Sequence, residues 1–509
     1  MSAYSEDKGG FFLPRKLPIF YSALMLTAVN LLLRFAGTTF QVYLSSRIGA
    51  AGIGLLQLVM SVGSLAMVAG IGGIRTATMY LTAGELGRKR PQNVTWVLSG
   101  CMLYSICFSG TTGALLYHFA PQIAEYWIGD IRTVAALRLF AAFLPMSCLC
   151  GVMTGYFTAA NRIGTLAAVE VAEQIGSMTF TLLLLSLWAE NSPVRACLCV
   201  ILGSSLGCCL TLGCLILLRI RERASVGPRI HIAGQLLHTA LPLALADDLK
   251  SGITTAENLM VPKRLARNAK VANPLASFGL VSGMVFPVMM FPSAILFALT
   301  ELLIPELARC SAAGSHIRIR YLVKRSLRVA MVYGFVFGGL LFLLANPLCL
   351  TLYKSLDAAP HLRAYALLVP ILYCDIITDA MTKGLGQQKV CVRYNIITSA
   401  IDLFLLFFLL PIYGMQGYYI SFLISHVVNF TLSLARLVKI SGQSLPLHAP
   451  VLCAASASFA VWAASHVSRP GIGILCYLLI LGCLLFLLRV LSQEDVRWMK
   501  GLVYKKGLT

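Results

Sequence analysis

Residues 34–47 read RFAGTTFQVYLSSR, and residues 250–263 read KSGITTAENLMVPK. When the two stretches are aligned, both begin and end with a basic residue and both carry a Thr-Thr pair at the same place. The offset between paired residues then grows from 216 to 225, so that Gly54 matches Gly279 after nine extra residues in the second copy. Together the basic residues, the threonines and the spacing indicate a duplicated unit.

The chain around these stretches is strongly apolar. Hydrophobic residues make up 58% of its 509 positions and charged residues 12%, whereas a soluble domain has about 25% charged residues. A chain with so few charged residues is better suited to a lipid environment than to water, and lipid requires every backbone polar group to be paired internally. The apolar runs are long and unbroken rather than short and alternating, which favours helices over a barrel. We therefore predict an all-α integral membrane protein.

Apolar windows of about 20 residues predict about fourteen transmembrane helices. The duplication groups the first twelve into two parallel six-helix repeats and leaves two appended C-terminal helices. The predicted domains are an N-terminal lobe at 1–222, a C-terminal lobe at 223–440, and the appended spans with a tail at 441–509. The predicted spans lie near 17–40, 53–81, 94–118, 134–159, 165–188, 196–219, 236–261, 275–304, 328–350, 363–383, 392–411, 415–438, 447–466 and 471–490.

Basic residues give the orientation. An even number of spans puts both termini on one side, and most of the loops on that side are rich in Lys and Arg, which is typical of the cytoplasmic face. One loop departs from this rule, because Lys263, Arg264, Arg267 and Lys270 would lie outside. The net charge of +21 is thereby explained by topology, and no nucleic-acid-binding motif accompanies it.

Enzyme and metal signatures are not found. The chain has no Walker A loop, no GxSxG elbow and no HExxH helix, so we expect neither catalysis nor a cofactor. Many of the sixteen cysteines lie inside apolar runs, where Cys acts as a small hydrophobic residue. We therefore expect no metal site.

Charged residues inside predicted spans are the candidate site, because an ionisable group in a membrane is costly and usually functional. Arg34 and Lys250 occupy equivalent positions in the two repeats and are predicted to face each other across a central cavity, with Arg75 as a third cation and Glu257 on the same helix as Lys250. Cations around a water-filled space suit a phosphate or pyrophosphate. The alternative is that neighbouring carboxylates neutralise them and lock the helices together, as Asp247 and Glu257 could do for Lys250.

Asp375 and Asp379 are four residues apart, which places them on one face of span 10. They either bind a coupling cation or proton, or pair with Arg75 or Lys250. Glu170 and Glu173 lie near the cytoplasmic end of span 5 and are expected to have a solvated or helix-end role.

Two prolines interrupt span 8. Pro287 and Pro292 are close enough to bend it strongly, which would suit a gate, although a static kink is the alternative for any single proline.

Four stretches resemble a known family: RIGAAGIGLLQL at 47–58, LPLALADDLKSGITTAENLMVPKRL at 241–265, ALTELLIPELA at 298–308 and DAMTKGLGQQKVCVRYNIITSAID at 379–402. They are similar to the polysaccharide-exporter branch of the multidrug/oligosaccharidyl-lipid/polysaccharide superfamily. Its subgroup of stage V sporulation protein B is the nearest, and the lipid II flippases are more distant.

The resemblance implies a bilobed flippase in the bacterial cytoplasmic membrane that moves a saccharide linked to a lipid pyrophosphate. Its implied partners are that substrate, membrane lipids and cell-wall synthesis enzymes, for peptidoglycan, spore cortex or polysaccharide. Arg34, Arg75 and Lys250 are the residues that would hold the pyrophosphate, although relatives often have Ser or Pro where this chain has Arg75. A cation or drug antiporter of the multidrug and toxin extrusion type and a non-transporting scaffold of a wall-synthesis complex are the alternatives.

Overall fold

The computed structural model describes residues 19–71, 73–88, 90–160, 162–188, 192–221, 233–443, 448–467, 470–488 and 490. Across these residues the chain is helical and has no strand, which confirms the all-α prediction. The helices are α1 (Ile19–Ile71), α2 (Ile74–Gly87), α3 (Val94–Gln122), α4 (Val134–Ala159), α5 (Ile163–Trp188), α6 (Pro193–Arg221), α7 (Ala233–Leu265), α8 (Pro274–Gly279), α9 (Phe286–Met290), α10 (Ser293–Ala312), α11 (His316–Leu343), α12 (Ala345–Tyr353), α13 (Ala359–Ala366), α14 (Val369–Gly384), α15 (Gln388–Tyr413), α16 (Met415–Ser441), α17 (His448–Ser465) and α18 (Pro470–Leu487).

Within the described ranges, eight helical segments are long and apolar enough to cross a membrane, and ten when each of two bent pairs counts as one span. One of these segments, Leu31–Leu86, contains the second predicted span and the last ten residues of the first. The helix α7 is not among the ten, and α17 and α18 are shorter apolar helices. The number of fourteen crossings therefore stays a prediction.

The helical segments that carry the first two predicted spans meet at a single residue of α1. Gly49 interrupts α1 with φ 74° and ψ 172°, a conformation that is accessible to glycine but strained for other residues. The equivalent spans of the second repeat, α7 and α8, are joined by a loop at 266–273 instead. The nine extra residues of the second copy fall at this loop.

Two groups of helices surround the middle of the molecule, and we call α1–α6 the N-terminal half and α7–α16 the C-terminal half. Of the predicted domain boundaries, residue 222 lies outside the described residues, while 440 falls at the end of α16. The boundaries stay predictions.

The two halves meet along α1. A Cβ added to Gly279 would collide with the carbonyl oxygen of Ala50 and lie 2.8 Å from the Cα of Gly54. The Oγ of Ser45 donates a hydrogen bond of 2.8 Å to the carbonyl of Gly283. That carbonyl is available because Pro287, four residues later, has no N–H to donate to it.

A second polar contact joins the halves further along α1. The carbonyl of Ser61 accepts a hydrogen bond of 3.0 Å from Oγ1 of Thr255. The hydroxyl of the same serine accepts one of 3.0 Å from Nδ2 of Asn258. Because Thr255 and Asn258 belong to α7, the contact links the first helix of each half.

The region of Pro287 and Pro292 is bent, as predicted. The axis turns by 62° between Pro274–Met290 and Ser293–Thr300, with a π-helical turn at Leu280–Val285. The hydroxyl of Tyr333 donates to the carbonyl of Pro292 at 2.7 Å. A second bend of 53° separates α13 from α14. Whether the first bend acts as a gate stays a prediction.

The appended helices α17 and α18 pack against each other and against α11 of the C-terminal half. The hydroxyl of Tyr477 donates to the carbonyl of Phe335 at 2.8 Å. The ring of Tyr477 lies over Gly339, where a Cβ would overlap it. The glycine thus allows the close approach of the appended pair.

Candidate functional site

A polar cavity of about 320 Å³ lies inside the C-terminal half. Residues of α7, α15 and α16 form most of its wall, and Phe286 of α9 also lines it. The lining residues are Lys250, Glu257, Asn258, Val261, Phe286, Asn395, Thr398, Ser399, Asp402, Leu406, Tyr418, Phe422, Ser425, His426 and Asn429.

The sequence places these polar groups on one face of each helix. On α7, Lys250 and Glu257 are separated by about two helical turns, so both side chains point the same way. On α15, Asn395, Thr398 and Asp402 follow the same spacing. Helices that are apolar on their other faces thereby turn a polar stripe towards a shared interior.

Two carboxylates define the chemistry of the cavity. One oxygen of Glu257, Oε1, is buried without a hydrogen-bond partner among the described residues. Asp402 accepts a hydrogen bond of 2.7 Å from the Oγ of Ser421. Lys250 lines the same wall and is exposed to the space. A cation and two acids therefore share one cavity, where charges interact more strongly than in water.

Asp375 lies immediately behind this wall. The Nδ2 of Asn429 donates to both of its carboxylate oxygens, at 3.0 and 3.2 Å, and Nδ1 of His426 is 4.0 Å away. Asn429 and His426 both line the cavity. A change of charge at Asp375 would therefore reach the cavity through two side chains.

Asp379 does not share this environment. It forms an ion pair with Lys383, one helical turn later on α14. The two acids predicted to act together thus have different partners, and their coupling role stays a prediction.

Arg34 lies outside the polar cavity. Its guanidinium carbon lies 4.0 Å from the centre of the Phe297 ring on α10, a cation–π contact between the two halves. It is not among the residues that line the cavity with Lys250. The predicted facing pair of Arg34 and Lys250 therefore stays a prediction, and in this conformation the two cations have different neighbours.

Arg75 is an exposed residue at the start of α2, just after Gly73, whose φ of 68° ends the preceding segment. It lies close enough to Glu170 of α5 to interact with it electrostatically. Glu173, one turn further along α5, accepts a hydrogen bond of 3.0 Å from Oγ1 of Thr211 on α6. The two glutamates are half-buried within the N-terminal half, and the expectation of a solvated or helix-end role for them stays a prediction.

Several residues that line the cavity were not predicted from the sequence. Asn258, His426 and Asn429 are neither acids nor Lys or Arg, so a search for those charged residues inside spans does not find them. A search for polar residues at helical spacing would have found them, because Ser425, Asn429 and Ser433 follow one face of α16.

No family model matches the chain. Stage V sporulation protein B of Bacillus subtilis (strain 168) is 22% identical to it over 437 residues, which is 83% of this chain and 84% of that protein.

Two solved structures share the fold. An inward-facing multidrug resistance transporter of the MATE family, in the MOP superfamily, matches with a TM-score of 0.68 and 11% identity over 83% of this chain and 100% of that one. The lipid II flippase MurJ, in an inward closed conformation, matches with a TM-score of 0.67 and 14% identity over 91% of this chain and 98% of that one. The resemblance read from the sequence is thereby confirmed, and the molecule is a multi-pass membrane protein.

Proposed function

We propose that this chain, a homologue of stage V sporulation protein B with the fold of the MOP superfamily, is a flippase that acts by alternating access. Its proposed substrate is a lipid-(pyro)phosphate-linked saccharide for peptidoglycan, spore cortex or polysaccharide synthesis, which cell-wall synthesis enzymes would supply. It would lie in the bacterial cytoplasmic membrane with both termini in the cytoplasm, as a transporter rather than an enzyme. The observation that carries the proposal is the cavity that holds Lys250 beside Glu257 and Asp402.

The cation in the cavity supports an anionic substrate group. An ammonium group in a low-dielectric space favours a phosphate or pyrophosphate, which brings its own negative charge. The amides and hydroxyls of Asn395, Thr398 and Ser399 line the same cavity. Such groups exchange hydrogen bonds readily with sugar hydroxyls.

The acids in the cavity support coupling to a cation or proton. Lys250 is the basic residue of the cavity wall, and Glu257 and Asp402 are its acids. Binding of a phosphate to Lys250 would change the balance of charge in the cavity and favour protonation or cation binding at the carboxylates. Asp375, which is linked to the wall through Asn429, would respond to the same change.

The contact between the halves supports alternating access. Gly279 touches the backbone of residues 50 and 54, and Ser45 and Ser61 add hydrogen bonds along α1. These contacts hold the two halves together along α1. Rocking of the two repeats against each other would require them to separate.

The test is a transport assay in vesicles of defined orientation. Purified protein is reconstituted with a fluorescent polyprenyl-pyrophosphate disaccharide, and its translocation is measured as protection from a membrane-impermeant quencher. We compare the wild type with Lys250→Ala and Arg34→Ala, and use Lys389→Ala, an exposed basic residue at the start of α15, as the control. Loss of translocation in Lys250→Ala but not in Lys389→Ala is the expected result.

Translocation at the same rate in wild type and Lys250→Ala would refute the role of the cavity. If translocation depended on Arg34 but not on Lys250, the substrate-binding site would instead be assigned to the contact between α1 and α10. Failure of the wild type to translocate the polyprenyl-pyrophosphate disaccharide would refute the proposed flippase activity.

A cation antiporter is the second candidate, and the number of acids in and beside the cavity favours it. Glu257, Asp402 and Asp375 lie within one group of helices, and carboxylates suit a cationic drug in exchange for protons. The same vesicles distinguish the two candidates. Uptake of a cationic dye driven by a pH gradient, without movement of the saccharide lipid, would establish the antiporter.

A further inference from the structure

A second, apolar slot of about 300 Å³ lies at the edge of the C-terminal half. It shares no lining residue with the polar cavity. Four helices form it: α11, α14, α16 and the first turn of the appended α17. The lining residues are Lys324, Leu327, Arg328, Met331, Phe335, Pro370, Ile371, Cys374, Phe430, Leu434, Ala449 and Pro450.

The slot has one charged end. Lys324 and Arg328 are four residues apart on α11, so their side chains share a face. The other lining residues are apolar, and no carboxylate is among them. Arg320, near the start of α11, lies beside Gly442 at the end of α16. The charged end is therefore the end at which α11 begins and α16 ends.

The depth of the slot matches one leaflet of a membrane. Phe335 lies about 16 Å along α11 from Lys324 at a rise of 1.5 Å per residue, and the hydrocarbon core of a bilayer is about 30 Å thick. If the basic residues lie at the level of the lipid headgroups, where the predicted span 328–350 begins, the far end of the slot lies near the middle of the bilayer. An apolar space of this depth below two cations matches an acyl chain below a phosphate.

We propose that this slot binds one anionic diacyl phospholipid, whose phosphate contacts Lys324 and Arg328 and whose acyl chain lies against Met331, Phe335 and Leu434. The lipid is a resident of the leaflet at the start of α11 and is not the transported substrate. It would join α17 to the rest of the C-terminal half, because Ala449 and Pro450 form one side of the slot. Two basic residues near the membrane surface give the preference for negative charge.

The experiment measures lipid retention by native mass spectrometry. The full-length protein is purified in detergent and titrated with phosphatidylglycerol, phosphatidylcholine or undecaprenyl phosphate. We expect one tightly retained phosphatidylglycerol per chain and weak retention of phosphatidylcholine. The variant Lys324→Gln/Arg328→Gln should reduce retention of phosphatidylglycerol by roughly tenfold or more, and Lys389→Gln should leave it unchanged.

A second variant tests the apolar part of the slot independently of its two basic residues. Leu434→Trp fills the apolar space and keeps both basic residues, so it should also abolish the retained lipid. Elution as a single species in size-exclusion chromatography shows that each variant is folded. Equal retention of the neutral and anionic phospholipids by the wild type would overturn the proposal, as would unchanged retention in both variants. Stronger retention of undecaprenyl phosphate than of phosphatidylglycerol would overturn the assignment to a resident lipid.

Discussion

Gly54 and Gly279, which occupy equivalent positions in the two repeats, contact each other where the two halves of the molecule meet. Residues related by a two-fold axis can touch only close to that axis. The contact therefore marks the position of the axis between the repeats at this end of the molecule. Neither residue can carry a side chain there without moving the backbone opposite it.

The first prediction concerns this contact. Gly279→Ala should push the halves apart, because its Cβ would overlap the carbonyl of Ala50, and overpacking of this kind typically costs about 1–3 kcal/mol. Hydrogen–deuterium exchange should become faster in residues 45–61 and 275–283. Gly213→Ala is the control, since a Cβ there meets nothing within 4 Å. Unchanged exchange in Gly279→Ala would show that the contact does not hold the halves together.

The second prediction concerns the cavity. Glu257→Gln keeps the shape of the side chain and removes its ability to exchange a proton. We expect substrate binding to persist while transport no longer responds to an imposed pH or sodium gradient. Glu306→Gln is the matched control, because Glu306 pairs with Arg318 outside the cavity. Transport by Glu257→Gln that responds to a gradient as well as the wild type does would remove this carboxylate from coupling.

The third prediction compares two acids on one helix. Asp375→Asn should weaken the bonds from Asn429, and hydrogen bonds to charged groups are each worth about 1.5–3 kcal/mol. Asp379→Asn removes a partly exposed pair with Lys383, and such pairs contribute about 0–1 kcal/mol. The midpoint of thermal unfolding in detergent should therefore fall further in Asp375→Asn. The opposite order would contradict the assignment of Asp375 as the better-bonded residue.

The fourth prediction concerns the bend before α10. Tyr333→Phe removes the hydroxyl that donates to the carbonyl of Pro292, and the loss of one hydrogen bond should reduce the free energy of unfolding by about 1 kcal/mol. Thermal unfolding measures this difference. The exposed Tyr413, changed to Phe, should have no effect. Equal midpoints in the two variants would mean that the hydroxyl does not stabilise the bend.

The repeat was readable from the sequence because both copies kept their glycines and basic residues in register. Register predicts which positions are equivalent, and Gly54 and Gly279 are both equivalent and in contact. It does not predict the neighbours of a long side chain. The equivalence of Arg34 and Lys250 for this reason did not reveal their surroundings: Arg34 stacks on Phe297, while Lys250 lines a cavity of the C-terminal half.

The candidate site was only partly readable for a related reason. Charged residues stand out in an apolar span, so Lys250 and Glu257 were found. Their neutral partners do not stand out, because Asn258, Asn429 and Ser421 resemble ordinary polar residues of a helix interface. The structure brings Asn258 of α7 and Asn429 of α16 to one cavity, and it bonds Ser421 to Asp402 of α15. No spacing along one helix contains these relationships.

The one-residue junction at Gly49 restricts the insertions that this part of the chain can accept during evolution. Each residue advances an α-helix by about 100° around its axis. One residue inserted between Gly49 and Gly54 would therefore turn the second helix by about that angle and carry Gly54 away from Gly279. The second repeat is free of this restriction, because the loop at 266–273 can lengthen without rotating α8. Natural variants of this protein should differ in length at the loop and hardly ever at the glycine.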